Sequence, residues 1–480
     1  MALWTRRSSN VSVTRMTQTV ELPLWLLILV VLFAAVTAAT HLLFPSVRWF
    51  FRRRAERVVA RLNARLQRPI QPFKLLRRQD MIRRVIYDPE VVRAATDYAH
   101  EEGVREDVAF EKAWDYAREI VPSFSATAYF GFATRAARFL STKLFQVELH
   151  RIDKEALDGI DPEATVVFVM NHRSNFDYVL VTYLAADQSA LSYAVGEWAR
   201  VWPMSRLIRA MGAYFIRRKS RNELYRKVLS TYVQRATEAG VTQAVFPEGG
   251  LSRTGAISQP KLGILSYIVE GWSPDDADVV FVPVALNYDR VVEDRILVAA
   301  HRDPKRRFKA SAPEAILFTL RYLKRRIQGA EGRFGVASVA YGRPVSLRDE
   351  AARGADGLVP RLAQTLTTRL KDAVPVVTTP LVMAALLSRG GQGKLDEIVD
   401  EMAALASNLP AHVPNDAARP DQKEAIKRAL DLLVMREIAA VENDVYRLVE
   451  TDLGVYYANS IRHHLAADAA ESIPKDIAAE

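Results

Sequence analysis

A histidine and an aspartate five positions apart have the residue types of a general-base pair. His172 and Asp177 lie in the segment NHRSNFDY, which directly follows an apolar run ending at Met170. On one continuous helix these side chains would point about 140° apart, whereas a strand–turn–helix path lets them meet. The aspartate would then fix one imidazole nitrogen, and the other could take a proton from an alcohol. A structural histidine beside a helix-capping aspartate is the other interpretation.

Two adjacent arginines, Arg217 and Arg218, close the apolar run 213–216. Neighbouring residues of a strand point to opposite faces, so this pattern predicts that only one of them enters a given pocket. Guanidinium groups match the geometry of phosphate oxygens. A solvated pair of charges at a strand end is the alternative.

A glycine-rich segment, FPEGGLSRTG, places Glu248 next to Gly249 and Gly250. Paired glycines let the backbone approach a ligand and can present N–H groups to an anion. Further donors follow at Ser252, Arg253 and Lys261. The segment resembles a nucleophile elbow but has Thr254 in place of the last glycine, which disfavours serine hydrolysis. A plain glycine-rich turn remains the simpler interpretation.

Six short β-rich runs alternate with helical patterns in the middle of the chain. The runs are 165–170, 191–195, 213–216, 243–246, 279–284 and 335–341. This alternation predicts an α/β fold with a mostly parallel twisted sheet flanked by helices. Ligands of such sheets bind beyond the carboxyl ends of the strands, where the three polar segments stand. Pro283, inside the fifth run, is expected to form a wall of the site rather than a chemical group.

An apolar segment followed by a basic one precedes this region. Residues 22–44 contain no Asp, Glu, Lys or Arg, which is long enough for one membrane crossing. Thirteen basic residues against two acidic ones follow between Arg48 and Arg84. A basic block behind an apolar helix is typical of contact with anionic lipid, whereas nucleic-acid binding favours a basic stripe across a domain. The positive-inside rule then places the rest of the chain in the cytoplasm. A cleaved signal peptide and a buried core helix are the alternatives.

These patterns predict six parts in the chain of 480 residues. They are a disordered N-terminus at 1–20, a transmembrane helix at 21–45, a basic juxtamembrane helix at 46–79, a helical region at 80–150, an α/β domain at 151–375 and a helical C-terminal region at 376–480. The chain has no cysteine, which excludes disulfides, a cysteine nucleophile and a thiolate metal site.

Taken in order, four motifs resemble the glycerol-phosphate acyltransferase family. They are His-x4-Asp, Gly-x-x-Phe-Ile-Arg-Arg, Phe-Pro-Glu-Gly and Val-Pro-Val. The segment HRSNFDY and the double arginine are similar to the branch that acylates glycerol 3-phosphate or dihydroxyacetone phosphate. The late segment YYANSIRH is similar to one near the end of that branch.

Together with the apolar segment and the basic block behind it, the resemblance implies a membrane enzyme, anchored by one helix in the bacterial inner membrane with its catalytic domain in the cytoplasm. It would transfer a fatty acyl group from acyl-CoA or acyl carrier protein to the hydroxyl of glycerol 3-phosphate, giving lysophosphatidate for phospholipid synthesis. No metal or cofactor is implied. The rivals are acylation of lysophosphatidate or dihydroxyacetone phosphate, and a catalytically silent membrane scaffold. Leu251 and Ala256 depart from the family's pattern, which leaves the acceptor open.

The resemblance also implies a role for each site residue. His172 would deprotonate the acceptor hydroxyl and Asp177 would orient it. One arginine of the 217/218 pair, with Arg253 and Lys261, would hold the phosphate. Glu248 and Gly249 would shape the pocket. The expected substrate-binding set is Arg173, Ser174, Arg217, Arg218, Glu248, Gly249, Ser252, Arg253, Lys261 and Pro283.

Overall fold

Apolar runs in the middle of the chain pair into one eight-stranded sheet among the described residues. The computed structural model describes residues 23–186, 189–196, 204–217, 222–303, 333–415, 422–474 and 477, without the side chains of 38–49, 51, 52, 55 and 204. The strands of this sheet are β1 (Gln146–Arg151), β2 (Thr165–Met170), β3 (Ser192–Gly196), β4 (Tyr214–Ile216), β5 (Gln243–Val245), β6 (Val279–Tyr288), β7 (Val336–Tyr341) and β8 (Val345–Ser346).

The sheet is mixed but mostly parallel, as the alternation of strands and helices predicts. Its order is β1-β7-β6-β2-β5-β3-β4, with β8 beside β6. Strand β2 is parallel to both of its neighbours, β5 and β6. Antiparallel pairing joins β6 to β7 and β8. The central strands β2 and β6 are buried along their whole length, because helices cover both faces.

Nineteen α-helices lie in the described part of the chain. The first ten are α1 (Leu24–Asn63), α2 (Pro72–Leu75), α3 (Arg78–Ile86), α4 (Pro89–Glu102), α5 (Glu106–Ile120), α6 (Thr134–Leu144), α7 (Lys154–Asp158), α8 (Asp177–Leu184), α9 (Met204–Ala210) and α10 (Glu223–Glu238). The other nine are α11 (Gly263–Glu270), α12 (Asp294–Arg302), α13 (Leu347–Ala352), α14 (Leu358–Asp372), α15 (Thr378–Ser388), α16 (Leu395–Ser407), α17 (Gln422–Met435), α18 (Thr451–Ala458) and α19 (Ala467–Ser472). A π-helix, Thr127–Ala133, runs into α6, and a 3-10 turn spans Arg462–His464.

Two loops meet at the carboxyl end of β2 because β5 is its parallel neighbour. The loop 171–176 connects β2 to α8, and the loop 246–262 connects β5 to α11. Asn171 fastens the first loop to β6: its Nδ2 donates to the Leu286 carbonyl at 2.9 Å, and its Oδ1 accepts from the Leu286 N–H at 2.8 Å. Both polar loops therefore lie at one rim of a rigid, buried sheet.

The N-terminal region differs from the prediction. The chain divides into two compact units, 1–64 and 65–480. A single helix, α1, covers 24–63, so no break separates the predicted helices 21–45 and 46–79. Residues 64–71 are not helical, and Pro72 begins α2, since proline suits a first helical turn. In the part of the chain that is described, no helix is long and apolar enough to cross a membrane, so the transmembrane helix is not supported. The predicted disordered segment 1–20 lies outside the described residues.

Two regions predicted to be helical contain strands. β1 lies at the end of the region 80–150; it is polar and half exposed, so its apolar pattern is weak. In the C-terminal region, β9 (Gln392–Lys394), β10 (Ala439–Glu442) and β11 (Val445–Leu448) form a small antiparallel sheet. Asn443 and Asp444 join β10 to β11 with φ of 52° and 62°. This two-residue turn is the sequence signal that predicts such a hairpin.

Candidate active site

The loop between β2 and α8 holds His172 against Asp177. His172 Nδ1 lies 2.9 Å from Asp177 Oδ2, and both side chains are buried. An ionised carboxylate can only accept a hydrogen bond, so Nδ1 is the donor, and in the neutral imidazole Nε2 then keeps its lone pair. An imidazole held in this tautomer can take a proton from an alcohol at Nε2.

Three more donors fix the Asp177 carboxylate. Oδ2 accepts from the backbone N–H groups of Arg173 and Ser174 at 2.8 Å and 3.1 Å, while Oδ1 accepts from the Tyr288 hydroxyl at 2.6 Å. Burial raises the pKa of the Tyr288 phenol well above its usual range, and the adjacent Asp177 carboxylate raises it further. Tyr288 therefore remains a donor, and Asp177 cannot turn away from His172 without losing several hydrogen bonds.

Glu248 joins the loop after β5 to the loop after β2. Its Oε1 accepts from the His172 N–H at 2.8 Å, and its Oε2 accepts from the Ser258 N–H at 2.9 Å. Burial raises the pKa of Glu248, and these two hydrogen bonds act against that rise. Ser252 adds a second tie, because its N–H donates to the His172 carbonyl at 2.8 Å. Its hydroxyl donates to the Ala256 carbonyl at 2.7 Å. Glu248 and Ser252 thus position the backbone of His172.

The absence of a side chain at Gly249 lets Lys261 pack closely against the backbone of the loop after β5. Its φ is +68°, and a Cβ at this position would lie 2.8 Å from Lys261 Cδ and 3.1 Å from Lys261 Nζ. Glycine is therefore required here both for its backbone conformation and for the close approach of the lysine. The Lys261 ammonium group lies over the loop that Glu248 ties to His172.

Arg173 is a buried cation with free donors. Its side chain is only 2% exposed, and its guanidinium lies 5.2 Å from the centre of the Tyr456 ring. Nη1 donates to the Gly255 carbonyl, but within the described residues Nε and Nη2 have no hydrogen-bond partner. A buried donor without an acceptor costs about 1–3 kcal/mol. Arg173 thus has two buried N–H groups that no described residue satisfies.

An apolar cavity of about 220 Å³ adjoins the pair. Tyr178 connects the two, since it lines the cavity and its ring centre lies 5.4 Å from that of His172. The cavity is lined by Phe132, Ala133, Ala136, Ala137, Leu140, Asn175, Tyr178, Val179, Thr182, Tyr193, Val195, Leu207, Ile208 and Met211. Only the Tyr178 ring would then separate a hydrocarbon chain in this cavity from the His172 imidazole.

Two family models match separate parts of the chain. Residues 151–287 match the model described as acyltransferase, and residues 319–472 match the glycerol-3-phosphate acyltransferase C-terminal region. The first part contains His172 and Asp177, and the second contains Tyr456, which stacks on Arg173. The chain is similar to glycerol-phosphate acyltransferases in both parts.

Curated relatives agree with this family. The glycerol-3-phosphate acyltransferase of Pseudomonas entomophila is 28% identical over 417 residues, covering 81% of this chain and 49% of the relative. That of Shewanella woodyi is 27% identical over 443 residues, covering 84% and 52%. The chain thus spans about half the length of the curated relatives that it matches.

One solved structure is also similar. The 1-acyl-sn-glycerophosphate acyltransferase of Thermotoga maritima is 20% identical and covers 50% of this chain and 79% of its own, with a TM-score of 0.28. A similarity of this size carries no argument about this chain.

The predicted arginine pair 217/218 does not follow β2 or β5, the strands that carry the His172 and Glu248 loops. Arg217 follows β4, three strands away from β2, or about 14 Å along the sheet. Its guanidinium donates to Glu119 of α5 twice, at 2.9 Å and 2.6 Å, and this pairing raises its pKa. Glu119 thus occupies the Nε and Nη2 donors of Arg217. Arg218 lies outside the described residues and stays a prediction.

Three more predicted residues, Arg253, Ser174 and Pro283, do not line the apolar cavity. Arg253 is exposed, with Nη1 3.3 Å from the Ala300 carbonyl. The Ser174 hydroxyl donates to Glu293 at 2.7 Å, which holds the loop after β2. Pro283 lies inside β6 opposite Val169, a wall position.

Three residues that the sequence did not indicate contact the loop of His172 and Asp177, although they lie far away in the sequence. Tyr288 holds Asp177, Glu293 holds Ser174 and the Asn175 N–H, and Tyr456 covers Arg173. Tyr456 belongs to a segment that the family resemblance singled out. Neither Tyr288 nor Glu293 stands in a recognisable motif, so spacing gave no signal for them.

Gly255 is expected to be essential for the Arg173 site. Its φ is +86°, and a Cβ there would lie 1.8 Å from the Tyr456 carbonyl oxygen. Gly255→Ala should cost at least about 1–3 kcal/mol from backbone conformation alone and should displace the carbonyl that Arg173 binds. Urea unfolding and the KM for the acceptor measure both effects. Gly263→Ala is the control, because a Cβ there meets nothing within 4 Å. Equal behaviour of the two variants would contradict this assignment.

Proposed function

We propose that this chain transfers a fatty acyl group from acyl-CoA or acyl carrier protein to the hydroxyl of glycerol 3-phosphate, giving lysophosphatidate. The observation that carries the proposal is the buried hydrogen bond between His172 Nδ1 and Asp177 Oδ2. It leaves an imidazole nitrogen free as a base, next to a buried arginine and an apolar cavity. The two family-model matches and the names of the curated relatives support the same reaction.

The transfer needs one base and no enzyme nucleophile. His172 Nε2 takes the proton of the acceptor hydroxyl, and the oxygen attacks the carbonyl carbon of the thioester. The tetrahedral intermediate expels the thiolate as the new ester forms. The imidazolium returns its proton to that thiolate, so His172 begins and ends neutral. Asp177 keeps the ring in the reactive tautomer and stabilises the imidazolium between the two steps.

Arg173 is the residue best placed to bind the phosphate of the acceptor. It follows His172 in the chain, and its Nε and Nη2 are buried without partners among the described residues. Glycerol 3-phosphate is small and doubly charged, so its binding energy comes mainly from charge-assisted hydrogen bonds. Lys261 adds a second cation over Gly249. Arg253 is a further cation of the loop after β5, whereas Arg217 is paired with Glu119 and is not assigned to this rim.

The apolar cavity is proposed to hold the acyl chain of the donor. Its walls are aliphatic and aromatic, and Tyr178 places it beside His172. Ala136→Phe should fill part of the cavity and shift the donor preference from long to shorter acyl thioesters. Values of kcat/KM for a series of acyl-CoA lengths measure this shift. An unchanged chain-length profile in a folded variant would place the acyl chain elsewhere.

Membrane association is proposed for the N-terminal unit. The first turns of α1 expose large apolar side chains from Leu24 to Val36, and Arg53, Arg54 and Arg57 follow on the same helix. An apolar segment followed by a basic one suits an anionic bilayer. The enzyme would then work at the surface into which its product passes.

A panel of acceptors tests the proposed reaction. Purified protein is assayed with palmitoyl-CoA and, separately, with glycerol 3-phosphate, dihydroxyacetone phosphate or lysophosphatidate. The highest kcat/KM is expected for glycerol 3-phosphate. A preference for lysophosphatidate would reject the acceptor, and no transfer to any of them would favour the scaffold reading. Repeating the best reaction with acyl carrier protein distinguishes the donors.

A further inference from the structure

Large apolar side chains are exposed around the mouth of the acyl cavity. Phe132 on the π-helix is 60% exposed, Phe139 on α6 is 46% exposed, and Leu207 on α9 is 40% exposed. Phe132 and Leu207 also line the cavity, so they stand at its opening. Phe132 and Phe139 are seven positions apart, on the π-helix and on the α6 helix that continues it. We call these three residues and the cations beside them the portal surface.

The portal surface is positively charged, because the three helices that form it, the π-helix, α6 and α9, contain basic residues and no acidic ones. Residues 127–144 contain Arg135, Arg138 and Lys143, residues 204–210 contain Arg206 and Arg209, and neither segment contains Asp or Glu. Arg135, Arg138, Lys143 and Arg206 are exposed. Basic side chains with long stems can lie over apolar ones and keep their charges at a polar boundary.

Exposed aromatic and aliphatic side chains among cations are the pattern of a helix that lies in a membrane interface. A water-facing surface would favour mixed charges instead. An apolar protein partner would not require four exposed cations without an acid on the same elements, whereas anionic headgroups complement them. The position at the mouth of a cavity lined by hydrocarbon adds a reason, because an alkyl chain could then pass between bilayer and cavity without crossing water.

We propose that the portal surface docks the catalytic unit on an anionic membrane. Phe132, Phe139 and Leu207 enter the boundary between headgroups and acyl chains, and the four exposed cations, Arg135, Arg138, Lys143 and Arg206, contact the headgroups. This contact belongs to the unit 65–480 and is separate from that of α1. It turns the opening of the acyl cavity toward lipid.

Site-specific fluorescence can test this contact in the full chain. The protein has no cysteine, so Thr142→Cys, exposed on α6, can be labelled uniquely with an environment-sensitive dye. Arg447→Cys, exposed on β11 of the small sheet, is the matched control. On phosphatidylglycerol vesicles containing acyl-brominated lipid, most emission at position 142 should be lost, and emission at position 447 should persist. The local dye reports this surface even while α1 also binds lipid.

Charge removal supplies a second readout. Each cation near an anionic surface contributes about 1 kcal/mol, so Arg135→Gln with Arg138→Gln should weaken vesicle binding by on the order of 30-fold. Lys427→Gln with Arg447→Gln removes two exposed cations elsewhere and should not weaken it. Circular dichroism melting checks that each variant is folded.

Three outcomes would overturn the proposal. The dye at position 142 could stay unquenched while the protein is bound to vesicles. The double variant 135/138 could bind as tightly as its control. The dye could instead shift with protein concentration in the absence of lipid, which would make the portal surface an interface between copies of the chain.

Discussion

Replacing His172 with alanine is expected to lower kcat for acyl transfer by about 10²–10⁴-fold, the usual contribution of a positioned general base. The expectation rests on a buried imidazole whose Nδ1 is held by Asp177 at 2.9 Å and whose other nitrogen is left to act. Asp177→Asn should also be severely damaging, because an amide no longer selects the tautomer. Initial rates with saturating donor and acceptor measure both losses.

A second buried histidine provides the control for this substitution. His464 is also buried, and its Nε2 lies 2.9 Å from the Val374 carbonyl oxygen. His464→Ala creates a comparable defect in the C-terminal region but should leave kcat close to that of the parent in protein that remains folded. If His172→Ala kept more than about a tenth of the activity, His172 would not be the base.

Replacing Arg173 with methionine should lower kcat/KM for glycerol 3-phosphate by about 100-fold or more. Each charge-assisted hydrogen bond contributes about 1.5–3 kcal/mol, and Nε and Nη2 of Arg173 offer two of them. The KM for acyl-CoA should change much less. Stability should change little, because the substitution removes two buried donors that have no partner among the described residues as well as the bond to Gly255.

Arg217→Met should give the opposite result and serves as the matched control. Arg217 makes two hydrogen bonds to Glu119, so its loss should cost on the order of 1 kcal/mol of stability, a figure reduced by the partial exposure of the arginine. The acceptor KM should move less than in Arg173→Met. Should Arg217→Met raise the acceptor KM more than Arg173→Met does, the phosphate would lie near β4 instead.

Local sequence patterns were sufficient to predict the strands that precede the candidate site residues. The run 165–170 is β2, and the turn after it brings His172 to the first residue of α8, Asp177. The runs before Glu248 and Arg217 are strands β5 and β4 of the same sheet, and both are parallel to β3. Strand runs and polar residues at their carboxyl ends are short-range signals, so one sequence can reveal them.

Contacts between distant segments could not be predicted in the same way. One arginine of the 217/218 pair was expected to hold a phosphate, but no pattern in the sequence indicated that Glu119, 98 positions earlier, would pair with Arg217. Arg173 gains its neighbour Tyr456 from a helix near the other end of the chain. Alternation along a strand says which residues share a face, but the partner on that face depends on how the helices pack. The polar edge strand β1 escaped detection because only buried strands have a strong apolar pattern.

The ratio of products in one reaction tests the central claim most directly. Wild-type protein is incubated with palmitoyl-CoA and glycerol 3-phosphate, and free CoA and lysophosphatidate are quantified together by mass spectrometry. The proposed chemistry predicts equal amounts of the two products, no CoA release without acceptor, and loss of both products in His172→Ala. Release of CoA with free fatty acid, independent of glycerol 3-phosphate, would contradict acyl transfer by the His172–Asp177 pair.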